Sequence, residues 1–103
     1  INRSALEKIT QLSYAALNRI SFFTVGEDEV RAWTVRHKAS APQAGGVIHS
    51  DIERGFIRAE HMHFDDLMSF GSEQKVREAG KLLLKGKDYQ IQDGDILNFL
   101  FNV

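Results

Sequence analysis

The residues with the greatest chemical potential in this chain are its histidines, its hydroxyls and its paired acids. His61 and His63 lie two apart in an alternating stretch, which places both imidazoles on one face of a strand and offers two metal ligands. A zinc site takes three or four protein ligands, however, and the chain has no cysteine and no H-E-x-x-H pattern. The pair therefore reads as histidines at the end of a partly solvated strand. His49, Ser50 and Asp51 have the residue types of a nucleophile with its base and orienting acid, but consecutive side chains do not converge, and Ser50 or Asp51 reads as a turn or cap residue. Ser21, Ser40, Ser69 and Ser72 occupy no nucleophile elbow. Asp65 with Asp66 marks a helix start, and Asp93 with Asp95 a turn. Gly80-Lys81 and Gly86-Lys87 end like a phosphate-binding loop but run on into Leu82 and Asp88, where magnesium would need Ser or Thr. No acid, base and nucleophile set converges.

Charge patterning says more. Lys75, Arg77, Lys81, Lys85 and Lys87 face a single acid, Glu78, within one short stretch. Arg36, His37 and Lys38 form a second cluster, with Arg54 and Arg58 nearby in sequence. If the two clusters share a face they can contact phosphates; otherwise they are an ordinary solvated surface. The candidate contact residues for RNA or a partner are accordingly Arg36, His37, Lys38, Arg54, Arg58, Lys85 and Lys87.

The elements that must position these groups follow from periodicity. Ser4 and Glu7 make a capping box before apolar residues at three- and four-residue spacing, predicting an amphipathic helix over residues 4–19. Residues 20–25 and 30–36 read as a hairpin, with Phe22, Phe23, Trp33 and Val35 available for a core. Residues 37–55 read as irregular: Ser40 and Pro42 can start a short helix, but Gly45 and Gly46 weaken it. A third strand is expected over 56–62, then short helices around Leu67 and Val76 broken at Gly71, then strands at 82–84, 89–91 and 96–101. Gly86 and Gly94 read as turn residues needing positive φ. This order gives an α+β domain, best matched by a ubiquitin-like β-grasp whose helical segment crosses one face of a mixed sheet.

The composition supports one domain. The chain has 103 residues, 43% of them hydrophobic, with 13 Lys and Arg against 14 Asp and Glu, four His and one Pro. At this length one core removes roughly 65% of the unfolded chain's surface from water, so folding requires neither metal nor disulfide. A formal charge of −1 provides no global field for nucleic acid or anionic membrane, and any such binding rests on a local patch. The lack of cysteine fits a reducing compartment, with the cytoplasm as the expectation, and no run of about 18 apolar residues predicts a membrane span. The chain begins at Ile1 rather than Met, which reads as a piece of a longer protein.

Against this background a series of segments is specific: Phe22-Phe23-Thr24-Val25-Gly26, Glu29 to Val35, Ala41-Pro42-Gln43-Ala44, Val47-Ile48-His49, Gly55 to Glu60, Glu78-Ala79-Gly80-Lys81, Gly86 to Tyr89, Gln92 to Asp95 and the closing Asn98 to Val103. Together they cover about four-fifths of the chain and resemble the C-terminal TGS domain of the YchF family of Obg-like ATPases. The ending at Val103 is most similar to bacterial members. Gly46, where the family more often has Ala, and Ser69 to Gln74 depart from the pattern. The resemblance implies a TGS β-grasp over residues 20–103, preceded at 1–19 by the terminal helix of a nucleotide-binding domain. It implies a parent that hydrolyses ATP with magnesium and associates with ribosomes, its catalytic motifs, ATP and Mg lying in the missing domain and no cofactor being carried by residues here. The expected partners are ribosome or ribosomal RNA and the parent's own nucleotide-binding domain. The alternative is a ubiquitin-like protein-interaction domain without nucleic-acid contact.

Overall fold

A computed structural model describes residues 18–26 and 29–103. Of the expected helix over 4–19, residues 4–17 fall outside the described residues, while Asn18 lies in a turn and Arg19 already opens the first strand. The elements are β1 (Arg19–Val25), β2 (Val30–Arg36), α1 (Ala41–Ile48), α2 (Ser50–Arg54), β3 (Phe56–Met62), α3 (Phe64–Phe70), α4 (Glu73–Glu78), β4 (Leu83–Lys85) and β5 (Ile96–Phe101). The five strands form one mixed sheet in the order β2-β1-β5-β3-β4, with β1 and β5 parallel at its centre and the other pairs antiparallel. The α+β class is the one the sequence predicts, and the first hairpin lies beside the last strand as the expected β-grasp requires.

Adjacent side chains of a strand point to opposite faces, and Phe22 and Phe23 are both buried. Both faces of the sheet are therefore covered. Phe22 packs with Ile20, Val35, Ala41, Ala44 and Leu97 beneath α1, and Phe23 with Met62, Ile96, Leu67 and Val76 beneath α3 and α4. The sequence predicts a helical layer on one face only; the second arises because Leu67 and Val76, on helices of seven and six residues, are too short a stripe to bury except against the sheet. Trp33 is half-buried and packs against the margin of the Phe22 cluster, its indole N–H donating to Thr24 Oγ1 at 3.0 Å.

Residues 37–55, expected to be irregular, hold two helices. Ser40 and Gln43 form a reciprocal capping box with Pro42 in the first turn of α1, and the His49 ring nitrogen Nδ1 accepts from the Asp51 N–H to start α2. Gly45 does not break α1, because it is where α2 comes closest: a Cβ there would meet Ile52 Cγ2 at 2.5 Å and Phe99 at 3.4 Å. Asp65 and Asp66 lie in the first turn of α3, favourably placed for the helix dipole, with His63 at the N-cap. The expected strand at 89–91 reduces to a single bridge between Gln90 and Ser40. Gly94 has the expected positive φ of 87°, whereas Gly86 is absent from the positive-φ glycines Gly71, Gly80 and Gly94.

Candidate functional site

Two sets of polar residues emerge, one inside the fold and one on its rim. The interior set is centred on Asp95, at the start of β5. Its Oδ1 lies 3.0 Å from His61 Nε2, while Oδ2 accepts from the Tyr89 hydroxyl at 2.6 Å and the Gln92 N–H at 2.9 Å. Only 7% of Asp95 and 8% of His61 is exposed, so the carboxylate depends on these partners instead of water. Burial pushes the Asp95 carboxyl up, yet the bonds from His61, Tyr89 and Gln92 outweigh it and hold the group below the ordinary carboxylate value. The Tyr89 phenol is driven well above its usual range, by burial first and by the neighbouring carboxylate second. An ionised carboxylate only accepts, so His61 Nε2 carries the proton in this pair and Nδ1 is left as a buried nitrogen without a partner.

This arrangement corrects the sequence reading of both residues. His61 is not a partly solvated strand-end histidine, and its Nε2 is engaged by Asp95 rather than open to a metal; the His61 and His63 rings meet edge to face at 5.1 Å. Asp95 does close the turn after Gly94, but its side chain also ties together groups 34 residues apart. Among the described residues no group of three or more His, Asp or Glu is arranged to hold a metal ion.

On the opposite face, Glu60 is 3% exposed and receives both Arg77 nitrogens, at 2.6 and 2.9 Å, and the Asn98 amide at 3.1 Å. The Arg77 hydrogen bonds hold its carboxyl below the usual value against the cost of burial. Burial raises the neighbouring Glu73, with Arg77 partly opposing.

The rim set lies where β1 begins and β2 ends. Arg19 and Arg36 are directly opposed in the β1–β2 register, and together with Asn18, His37 and Lys38 they line an open cleft of about 560 Å³. Among the described residues, Asn18 at φ 59° and Lys38 at φ 71° are the two non-glycine residues with left-handed backbone. Their turns are tied by His37 N–H to Asn18 O at 2.9 Å and Ala39 N–H to Arg36 O at 3.1 Å.

The candidate contact residues thus divide. Arg36, His37 and Lys38 come together, joined by Arg19, which the sequence reading did not single out; its place opposite Arg36 depends on hairpin register, and only that register reveals it. Arg54 pairs with Asp51 at 2.6 Å. Arg58 stands on β3, separated from the edge strand β2 by β1 and β5, alongside Glu60. Lys85 places its Nζ 4.8 Å from the centre of the Tyr89 ring, and Lys87 is exposed in the following turn. One basic stretch closes β2 and the other runs from α4 through β4 into the next turn, and β2 and β4 are opposite edges of the sheet. Arg77, the second cation of the Lys75 to Lys87 run, is held by Glu60 and Glu73.

Fold and rim define a β-grasp domain with a structural polar interior and a concentration of cations at one corner. The family model described as YchF-GTPase_C, protein of unknown function (DUF933), matches residues 19–102. The chain is 48% identical over 103 residues to the ribosome-binding ATPase YchF of Bacillus subtilis, covering 100% of this chain and 28% of that protein. It is 54% identical over 100 residues to Obg-like ATPase 1 of Oryza sativa subsp. japonica, covering 97% of this chain and 25% of that protein. The YchF GTPase structure from Schizosaccharomyces pombe superposes with a TM-score of 0.73 at 50% identity, covering 90% of this chain and 25% of that one. The chain belongs to the YchF family of Obg-like ATPases and corresponds to its C-terminal domain, not to the nucleotide-binding domain. It spans about a quarter of the length of these relatives. Among the described residues no helix is long and apolar enough to cross a membrane.

Proposed function

We propose that this chain is a non-catalytic docking and regulatory module of a ribosome-associated ATPase. In this reading the parent binds and hydrolyses ATP with magnesium in a separate nucleotide-binding domain, and the β-grasp domain contacts ribosomal RNA on one side and the nucleotide-binding domain on another. The cytoplasm is the compartment that fits such a partner. The observation that carries the reading is the division of charge: Asp95, His61, Glu60 and Arg77 are engaged with one another, while Arg19, Arg36, His37 and Lys38 converge on an open cleft. The names of the relatives, which specify ribosome binding, support the choice of partner.

The test is ribosome cosedimentation of the full-length parent and of a version lacking residues 19–103, with ATP or ADP and at two salt concentrations. The expected result is loss of sedimentation without the domain and salt-weakened sedimentation with it. Unchanged sedimentation after removal of the domain overturns the reading. Binding that survives nuclease digestion of the RNA replaces it with the protein-interaction alternative.

A further inference from the structure

We infer that the cleft between the start of β1 and the end of β2 is a phosphate-binding site that holds the backbone of a single-stranded RNA segment. The inference deepens the docking reading and rests on it.

The first support is composition. Among the described residues the cleft is walled by Asn18, Arg19, Arg36, His37 and Lys38, none of them a carboxylate. Two guanidiniums at directly opposed strand positions and an ammonium one turn away repel one another, and a ligand carrying several negative charges relieves that repulsion. A lone carboxylate is satisfied by one guanidinium; a phosphodiester strand supplies a charge to each cation in turn.

The second support is the backbone. Lys38 stands in the left-handed region, where a side chain with a Cβ costs energy that Gly would avoid. That conformation turns the chain so that Lys38 follows Arg36 and His37 around the same concave wall. The cross-bonds from His37 to Asn18 and from Ala39 to Arg36 fix that wall before any ligand arrives.

The third support is what the other cations do. Arg54 is held by Asp51, Arg77 by Glu60, Arg31 lies 4.9 Å over Trp33, and Lys85 lies over Tyr89. The exposed Lys75, Lys81 and Lys87 are spread along α4 and the β4 edge, whereas within the cleft Arg19 donates to the adjacent Asn18 carbonyl at 3.1 Å and stays beside Arg36 and Lys38. Among the described residues the cleft walls offer no Phe, Tyr or Trp for base stacking, so the site reads backbone charge and carries no base preference. An adjoining cleft of about 520 Å³ shares its cations and reaches Glu53, whose carboxylate sets the limit beyond which a phosphate is repelled.

The experiment measures binding of the full-length parent to a fluorescent oligouridylate by anisotropy across a salt series. Replacing the three cations, Arg19→Gln with Arg36→Gln and Lys38→Gln, is expected to weaken binding at least tenfold. It should also reduce the slope of log affinity against log salt by about 2, from roughly 0.7 per phosphate contact on a single strand. Lys85→Gln with Lys87→Gln is expected to change affinity less than twofold. Lys38→Gly alone keeps the backbone geometry, and it should weaken RNA binding while leaving the melting temperature equal or higher, so the site is still judged if the triple variant fails to fold. Unchanged RNA affinity in both Lys38→Gly and the triple variant overturns the site. The same holds if the three cations matter for inorganic pyrophosphate and not for the oligonucleotide, since the site then serves free phosphates. Oligonucleotide binding that depends on the cleft, in a parent that does not sediment with ribosomes, upholds the cleft and removes only the docking reading.

Discussion

The interior around Asp95 and the corner around Lys38 are both polar and are built on opposite principles. Inside, every charge has a partner on another element: Asp95 gathers His61 from β3 and Tyr89 from the turn before β5, and Glu60 gathers Arg77 from α4 and Asn98 from β5. At the corner, like charges are brought together on two tied turns, one of them with an unfavourable left-handed lysine. Burial explains the difference. A buried charge without partners is too costly to keep, so interior polar groups must satisfy one another, whereas exposed cations can be crowded at modest cost because water screens them. The first arrangement holds the fold and the second is available to a ligand.

The largest effect that would sharpen this contrast is expected from Asp95→Ala. It leaves buried His61 without either nitrogen satisfied and removes the acceptor for Tyr89 and Gln92, at a cost of about 3–5 kcal/mol, as for breaking a buried pair from one side. The urea midpoint reads it, with the parent's RNA affinity unchanged in the folded fraction; a shift below about 1 kcal/mol would mean that the interior network contributes no more than a surface pair does.

Acid should act on the carboxylates of the interior. The folded-state carboxyls of Asp95 and Glu60 lie below their ordinary values of 3.8 and 4.5, so the stability they contribute is fully present above those values and is lost as pH falls through the depressed folded ones. Glu73, raised by burial, works in the opposite sense and softens the loss. Each group contributes a slope of at most about 1.4 kcal/mol per pH unit. Glu60→Gln should flatten the decline in the denaturation midpoint below pH 4.5, and a profile identical to that of the unsubstituted chain would count against the ion pair with Arg77.

The smallest effect belongs to the corner. Lys38→Gly removes the left-handed penalty and is expected to raise stability by up to about 1 kcal/mol, part of the gain being offset by the greater freedom of glycine in the unfolded chain. A drop in melting temperature instead would show that the lysine side chain contributes packing, and the two regions would then differ less than their geometry indicates.

Much of the molecule is written in local sequence. The β-branched and aromatic run of Ile20 to Val25, the alternation in Phe56 to Met62, the Ser40 and Pro42 start of α1, the break at Gly71 and the turn at Gly94 are each decided by residues within a few positions of one another. What escaped was set by distant partners. Gly45 has the local signature of a helix breaker, yet α1 runs through it because the missing Cβ admits Ile52 and Phe99. His61 and Asp95 each have an ordinary local reading, as strand end and turn, and only the β3–β5 register brings them within 3.0 Å. The residues of the cleft were partly legible, since Arg36, His37 and Lys38 are consecutive, while Arg19 was not.

The sequence by itself determined the α+β class, the hairpin, the family and the presence of two basic stretches, because period, capping and turn chemistry act over a few residues and motif identity needs no coordinates. Tertiary structure alone decided which charges are engaged and which converge. The order β2-β1-β5-β3-β4 sends the two basic stretches to opposite edges, and strand register faces Arg19 with Arg36 and sets His61 opposite Leu97, two residues from Asp95, whose carboxylate it then reaches. Coulomb and hydrogen-bond energies depend on distance through space, and chain separation does not specify that distance until the sheet has closed.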